Sequence, residues 1–151
     1  MKNKIFLILE NIRSKENVGS ILRTVDAAGV AKVYLCGFTP RPPDDKISKT
    51  ALGAETWLDW EHAPKATVVI KELNKSGVTT VGLETGKKSE NIFDMAVSGP
   101  LALVVGNEVD GISPAVLKLC KKRAAIPMYG RKESLNVAVA AGIAVYALRN
   151  K

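Results

Sequence analysis

Three polar stretches of this chain gather side chains suited to positioning and hydrogen bonding: Arg, Asn, Glu and Ser, each set beside an apolar run. The first is NIRSKENVGSILR, Asn11 to Arg23. Arg13, Lys15 and Arg23 suit phosphates. Asn17 stands at a helix start, where it either caps the first turn or faces a site. The second is VVGNEVDGIS, Val104 to Ser113. Gly106 ends an apolar run where a ligand could approach the backbone. Glu108 is either an exposed acid in a tight connection or a group that orients a substrate or holds another loop. Gly111 allows the turn before Ser113. The third is IPMYGRKESLNVAVAAGIAVYAL, Ile126 to Leu148. Here Arg131, Lys132, Glu133, Ser134 and Asn136 crowd the mouth of a helix that carries no charge until Arg149. Ser134 and Asn136 fall among the free N–H groups of a helix start, so they either cap it or bind a carboxylate or a nucleotide edge.

Other chemistries lack their residues. The only histidine, His62, lies near Trp57 and Trp60 in a segment unlike a site loop, which disfavours a Ser-His-Asp hydrolase. HExxH, an obvious carboxylate pair and a cysteine–histidine cluster are absent, and no metal is expected. A Walker loop is excluded, and Gly106 and Gly111 do not have the GxGxxG spacing. Cys36 and Cys120 are far apart and outside any CxxC pair, which fits a reducing compartment.

Alternating elements must position these clusters. Ile5 to Leu9 reads as a buried strand, and Asn17 to Ala28 as a helix with Val18, Ile21, Leu22, Val25 and Ala28 on one stripe. Arg23 falls away from that stripe and projects from the core. Lys32 to Cys36 reads as a strand, followed by a loop with Pro40, Pro42 and Pro43. Ile47 to Glu55 reads as a short helix and Ala63 to Lys75 as a longer one ending at Gly77. Thr79 to Leu83 and Leu101 to Val105 read as strands. Ser113-Pro114 reads as a cap with proline at the first helical position. A strand over Ala124 to Met128 and the last helix complete the set. The last helix is apolar all round, so it must be buried on nearly every face, and a second subunit is one way to bury it. The alternation predicts an α/β fold, a mainly parallel sheet with helices on both faces. Such sheets bind ligands at the carboxyl ends of their strands.

The 151 residues form a single domain in this reading, 1–151. A net charge of +7 favours an anionic partner, and nucleic acid is the usual one. Ile5 to Leu9 is too short for the apolar core of a signal peptide, and no apolar run approaches a membrane span, so a cytoplasmic location is expected.

In this order, the clusters resemble the three motifs of the SpoU-type (TrmH-like) branch of the SPOUT RNA methyltransferases. Asn17-Val18-Gly19 with Arg23 matches the first, Val105-Gly106-Asn107-Glu108 with Gly111 the second, and Ile126-Pro127-Met128 with Ser134-Leu135-Asn136-Val137 the third. The resemblance runs from about Ile5 to Leu148. Ala138 stands where relatives often carry serine. The chain is similar to minimal members without an extra N-terminal RNA-binding domain. The resemblance implies an α/β knot with the C-terminal segment threaded through a loop, and a homodimer built on the last helix that brings Arg23 near the partner's cofactor. It implies S-adenosyl-L-methionine as cofactor, held by Leu83, Glu84, Thr85, Gly86, Gly106, Asn107, Glu108, Gly111, Ile126, Met128, Ser134 and Leu135. The implied reaction is methyl transfer to a ribose 2′-hydroxyl of tRNA or rRNA, with Arg23, Asn17, Glu108, Ser134 and Asn136 as its catalytic set. The family's arginine is often assigned as the base. Guanidinium groups are almost always protonated in proteins, so two roles stay open for Arg23: that base, or a cation that fixes an RNA phosphate and steadies developing alkoxide charge. Two other readings stay open: an RNA-binding module that kept the fold without catalysis, and a small-molecule nucleotide enzyme.

Overall fold

A computed structural model describes residues 3–149 and residue 151. Seven parallel strands form one sheet in the order β3-β2-β1-β6-β4-β7-β5. They are β1 (Ile5–Glu10), β2 (Lys32–Cys36), β3 (Trp60–Ala63), β4 (Thr79–Leu83), β5 (Glu90–Asn91), β6 (Leu101–Val105) and β7 (Lys122–Ala125). The helices are α1 (Lys15–Ala27), α2 (Asp45–Ala51), α3 (Ala66–Lys75), α4 (Pro114–Leu119) and α5 (Val137–Arg149). The central strands β1 and β6 are apolar at nearly every position because both faces of the sheet are covered. On one face Leu7, Leu9, Leu103 and Val105 pack with the apolar stripes of α1 and α5 and with Ile47 of α2. On the other, Ile8 and Val104 pack with Val69, Ile70 and Leu73 of α3 and Val116 of α4. The expected α/β fold with helices on both faces is the fold observed.

The path of the chain determines where a site can form. From β1 the chain steps outward through β2 to β3, and β4 then lands on the opposite side of β1. Such a reversal opens a crevice at the carboxyl ends of the strands. Beyond it, β7 lies between β4 and β5, which precede it in sequence. The end of β7 is gripped from both sides: Glu84 N–H donates to the Ala124 carbonyl at 2.9 Å, and Ile92 N–H to the Ala125 carbonyl at 2.9 Å. At the far end of α5, Arg149 donates to the carbonyls of Ala28 (3.0 Å) and Gly29 (2.7 Å), tying that helix to the end of α1.

Several boundaries differ from those read in the sequence. α1 starts at Lys15 rather than Asn17, because Ser14 is its cap and accepts the Asn17 N–H at 3.1 Å. Residues Trp60 to Ala63 form an edge strand paired with β2, so the helix expected from Ala63 begins at Ala66. The helix expected over Ile47 to Glu55 ends at Ala51, because Leu52 and Gly53 take left-handed conformations, and a short 3-10 turn follows. The strand expected over Ala124 to Met128 is Lys122 to Ala125, and Ile126 to Met128 leave the sheet. The short edge strand β5 has no apolar run to announce it. α5 is not buried all round in one chain: Val139 is 51% exposed and Tyr146 45%.

Candidate active site

The carboxyl ends of β4, β6 and β7 open on a cavity of about 450 Å³. Leu83 ends β4 and Glu84 and Thr85 follow it, while Val105 ends β6 and Gly106 to Gly111 follow. Ala125, Ile126 and Met128 come off β7. Ser134 to Val137 lead into α5, and Asn17 reaches in from α1. All three sequence clusters therefore meet at one place. Apolar walls (Leu83, Val105, Ile126, Leu135, Val137) alternate with a few polar groups, the usual make-up of a small-molecule site.

Glu108 joins the first cluster to the second. One carboxylate oxygen accepts the Arg13 N–H at 2.8 Å, and the other accepts the Ser14 N–H at 3.0 Å and the Asn17 amide at 3.2 Å. Asn17 in turn accepts from the Asn136 amide at 3.2 Å. The Asn136 oxygen accepts the N–H groups of Ala138 (2.8 Å) and Val139 (3.2 Å), so Asn136 caps α5 and holds Asn17 at once. Asn17 does not cap its own helix, and its side chain is left to bridge Glu108 and Asn136. Glu108 is thus a strap between loops.

Partial burial alone would raise the Glu108 carboxyl. The N–H groups of Arg13 and Ser14, with the Asn17 amide, outweigh it and hold the group below its ordinary value of 4.5. A carboxyl depressed on folding stabilises the fold above its unfolded value, and that contribution is lost as pH falls through the folded value. Glu108→Gln is therefore expected to lower the melting temperature near pH 7, with the difference from the parent protein closing as pH drops below 4.5. Parallel thermal melts across that range check it, and a difference independent of pH would remove the strap.

Two more carboxylates clamp the loop after β6. Glu10, buried at the end of β1, accepts the Ser113 N–H at 2.8 Å and the Ser113 hydroxyl at 2.7 Å. Glu84 accepts the Ile112 N–H at 3.0 Å. Asn107 folds the loop on itself: its oxygen accepts the N–H groups of Val109 (2.9 Å) and Asp110 (3.0 Å), and its amide donates to the Asn11 carbonyl at 2.7 Å. The fold-back brings Gly106 against Gly111, where a Cβ on Gly106 would fall on the backbone of Gly111 and Ile112. Gly111 has φ +70°, and a Cβ there would meet the Glu84 carboxylate at 2.9 Å.

Of the residues expected to hold the cofactor or carry catalysis, Gly86 and Arg23 do not line this cavity, and neither do the charged residues Arg13, Lys15, Arg131, Lys132 and Glu133. Arg23 is exposed on α1, as its place off the apolar stripe implies. Lys15 is held by Asp44 at 2.7 Å, which leaves Arg13 and Arg23 as the exposed cations of the first cluster. Sequence reasoning passed over Glu10, Ser14 and the backbone of Asn11. Asn11 has a left-handed backbone, φ 56°, and its side-chain oxygen accepts the Phe38 N–H at 3.0 Å. The available signal for Glu10 was a carboxylate ending an otherwise apolar strand.

The chain matches the SpoU rRNA Methylase family over residues 4–146. It belongs to that family. A SpoU relative, the tRNA (guanosine(18)-2′-O)-methyltransferase of Aquifex aeolicus, is 33% identical over 94% of this chain and 67% of its own length. A 23S rRNA (guanosine-2′-O-)-methyltransferase of Vibrio parahaemolyticus is 32% identical over 94% of this chain and 57% of its own. The crystal structure of an AdoMet-bound rRNA methyltransferase from Sinorhizobium meliloti superimposes with a TM-score of 0.92 at 28% identity, over 99% of this chain and 57% of that one. The SpoU fold of these proteins therefore extends over nearly all of this chain, which spans only 57 to 67% of their length.

Proposed function

We propose that this chain transfers a methyl group from S-adenosyl-L-methionine to a ribose 2′-hydroxyl of tRNA or rRNA. The observation that carries the reading is the meeting of all three polar clusters around one cavity, in a chain whose SpoU relatives perform that reaction. The cavity fits the cofactor: about 450 Å³ is ample for a nucleoside, and its mixed lining suits a ligand with an apolar ring and a charged tail. Leu83, Val105, Ile126 and Leu135 would hold the ring. Glu84, Thr85, Gly106, Asn107, Glu108, Gly111, Met128 and Ser134 would complete the site. When bound, the cofactor supplies an electrophilic sulfonium methyl.

The protein's own task is then alignment and charge. Asn17, Glu108 and Asn136 keep the first, second and third loops in register. Ser134, exposed at the mouth, offers a hydroxyl to the ribose. Arg23 holds an RNA phosphate and stabilises negative charge developing on the ribose oxygen as the hydroxyl's proton passes to water. Arg23 acts on the cavity of a partner subunit in a homodimer built on α5. Two observations support that arrangement. Val139 and Tyr146, two helical turns apart, leave an apolar face of α5 bare. Gly142 of α5 also packs on Thr24, the neighbour of Arg23. A C-terminal knot is supported by the strand order, since β7 runs inside the connection from β4 to β5. We read residues 1–151 as one methyltransferase domain. Its place is the cytoplasm, in keeping with two free cysteines and an RNA substrate.

The test is incubation of the purified chain with cofactor carrying a labelled methyl group and total tRNA or rRNA, followed by nucleoside analysis. Label in a 2′-O-methylnucleoside is expected. Cofactor binding without transfer to any RNA would favour the non-catalytic module instead.

A further inference from the structure

The segment between Met128 and Ser134, both on the cavity wall, carries an unexplained aromatic. Tyr129 is 92% exposed. Among the described residues, no side chain from Tyr129 to Glu133 makes a hydrogen bond or an ion pair. A Cβ at Gly130 would meet nothing within 4 Å, so the segment stands clear of the body of the protein. Arg131 and Lys132, both exposed, follow at once. A lone exposed apolar residue is ordinary and needs no reason. An aromatic ring with two cations at its side, anchored at both ends to the cavity wall, is a different arrangement. The cations suit phosphates, and the ring suits the face of a base.

We propose that Tyr129 stacks on an unpaired nucleobase next to the target ribose, while Arg131 and Lys132 hold the phosphates that flank it. The proposal rests on the RNA methyltransferase reading and adds a substrate class: a nucleotide in a loop or single strand, whose neighbouring base is free to turn its face outward. Bases inside an A-form helix are stacked on one another and cannot meet the ring. Because every base has a π-face, the contact selects single strands over duplexes without selecting a sequence.

The experiment uses the full chain and a labelled single-stranded RNA of about 12 nucleotides, alone and annealed to its complement. Tyr129→Ala is expected to weaken single-strand binding about 10- to 100-fold, with duplex binding unchanged. Tyr129→Phe keeps the ring and is expected to bind like the parent protein. Arg131→Ala, by contrast, should lower the dependence of log affinity on log salt by about 0.7, the share of one phosphate contact on a single strand. Calorimetry with S-adenosylmethionine is expected to give the parent affinity in all three variants. Equal loss of single-strand and duplex binding in Tyr129→Ala, or no loss, overturns the proposal. A fall in the oligomeric mass of Tyr129→Ala also overturns it, since the ring would then be a subunit contact. Failure of the parent protein to bind any RNA overturns the methyltransferase reading along with it.

Discussion

Replacing Arg23 with alanine is expected to reduce methyl transfer by about 100-fold or more while the affinity for S-adenosylmethionine stays at the parent value. Arg23 lies outside the cavity wall of its own chain, so removing its side chain leaves that wall intact. It is exposed on the surface of α1, so the substitution opens no hole in the core. A charge that meets the substrate mainly as the ribose oxygen becomes negative acts on kcat more than on binding. Turnover assays beside calorimetry check this, and a variant with unchanged turnover ends the assignment. Lysine at this position keeps the charge but not the planar fork, and is expected to recover only part of the rate.

Gly106→Ala is expected to give the converse result: cofactor affinity lowered about 100-fold in a protein destabilised by about 1–3 kcal/mol. The added methyl falls on the backbone of Gly111 and Ile112 rather than on a side chain that could turn aside. The loop must therefore open, and its hydrogen bonds to Glu84 and Glu10 must stretch with it. Calorimetry with S-adenosylmethionine and a thermal melt read the two effects, and a variant that binds as tightly as the parent contradicts the tight fold-back. The two variants together test the subunit arrangement. If Arg23 serves the partner's cavity, mixing the two variants under exchange, at cofactor too dilute to fill the Gly106→Ala cavity, restores roughly a quarter of the parent activity, since half the dimers are mixed and each has one whole site. A mixture no more active than its parts places Arg23 elsewhere.

The elements built from strong apolar patterns were plain in the sequence. Ile5 to Leu9 and Leu101 to Val105 have no other reading than buried strands, and they form the centre of the sheet. The stripe of α1 gave both its packed face and the outward course of Arg23. Trp60 to Ala63 was hidden because an edge strand needs one paired side and little burial, so Glu61 and His62 carry no pattern. The cap of α1 was misread for a related reason. Ser14 and Asn17 are both good capping residues, and only the position of Glu108, far away in sequence, decides which is free to bridge. Long-range hydrogen bonds of this kind leave no periodic trace. The convergence of the clusters came from their order and spacing as motifs, since each cluster alone reads as a capped helix or a tight turn. Ile126 to Met128 look like strand because they are apolar, yet they leave the sheet to form the cavity wall.

The walls of the cavity are contributed by residues as far apart in the chain as Asn17 and Ala140. A molecule seated there touches segments far apart in sequence and works as a temporary cross-link over more than a hundred residues of chain. Its binding energy is absent until those segments have come together, so the occupied protein should fold no faster than the empty one. The protein gains instead in lifetime: each opening of the sheet's carboxyl end must first expel the ligand. Tightness toward a small molecule would thus set the rate at which the protein is lost to unfolding, and its abundance would follow the supply of that molecule.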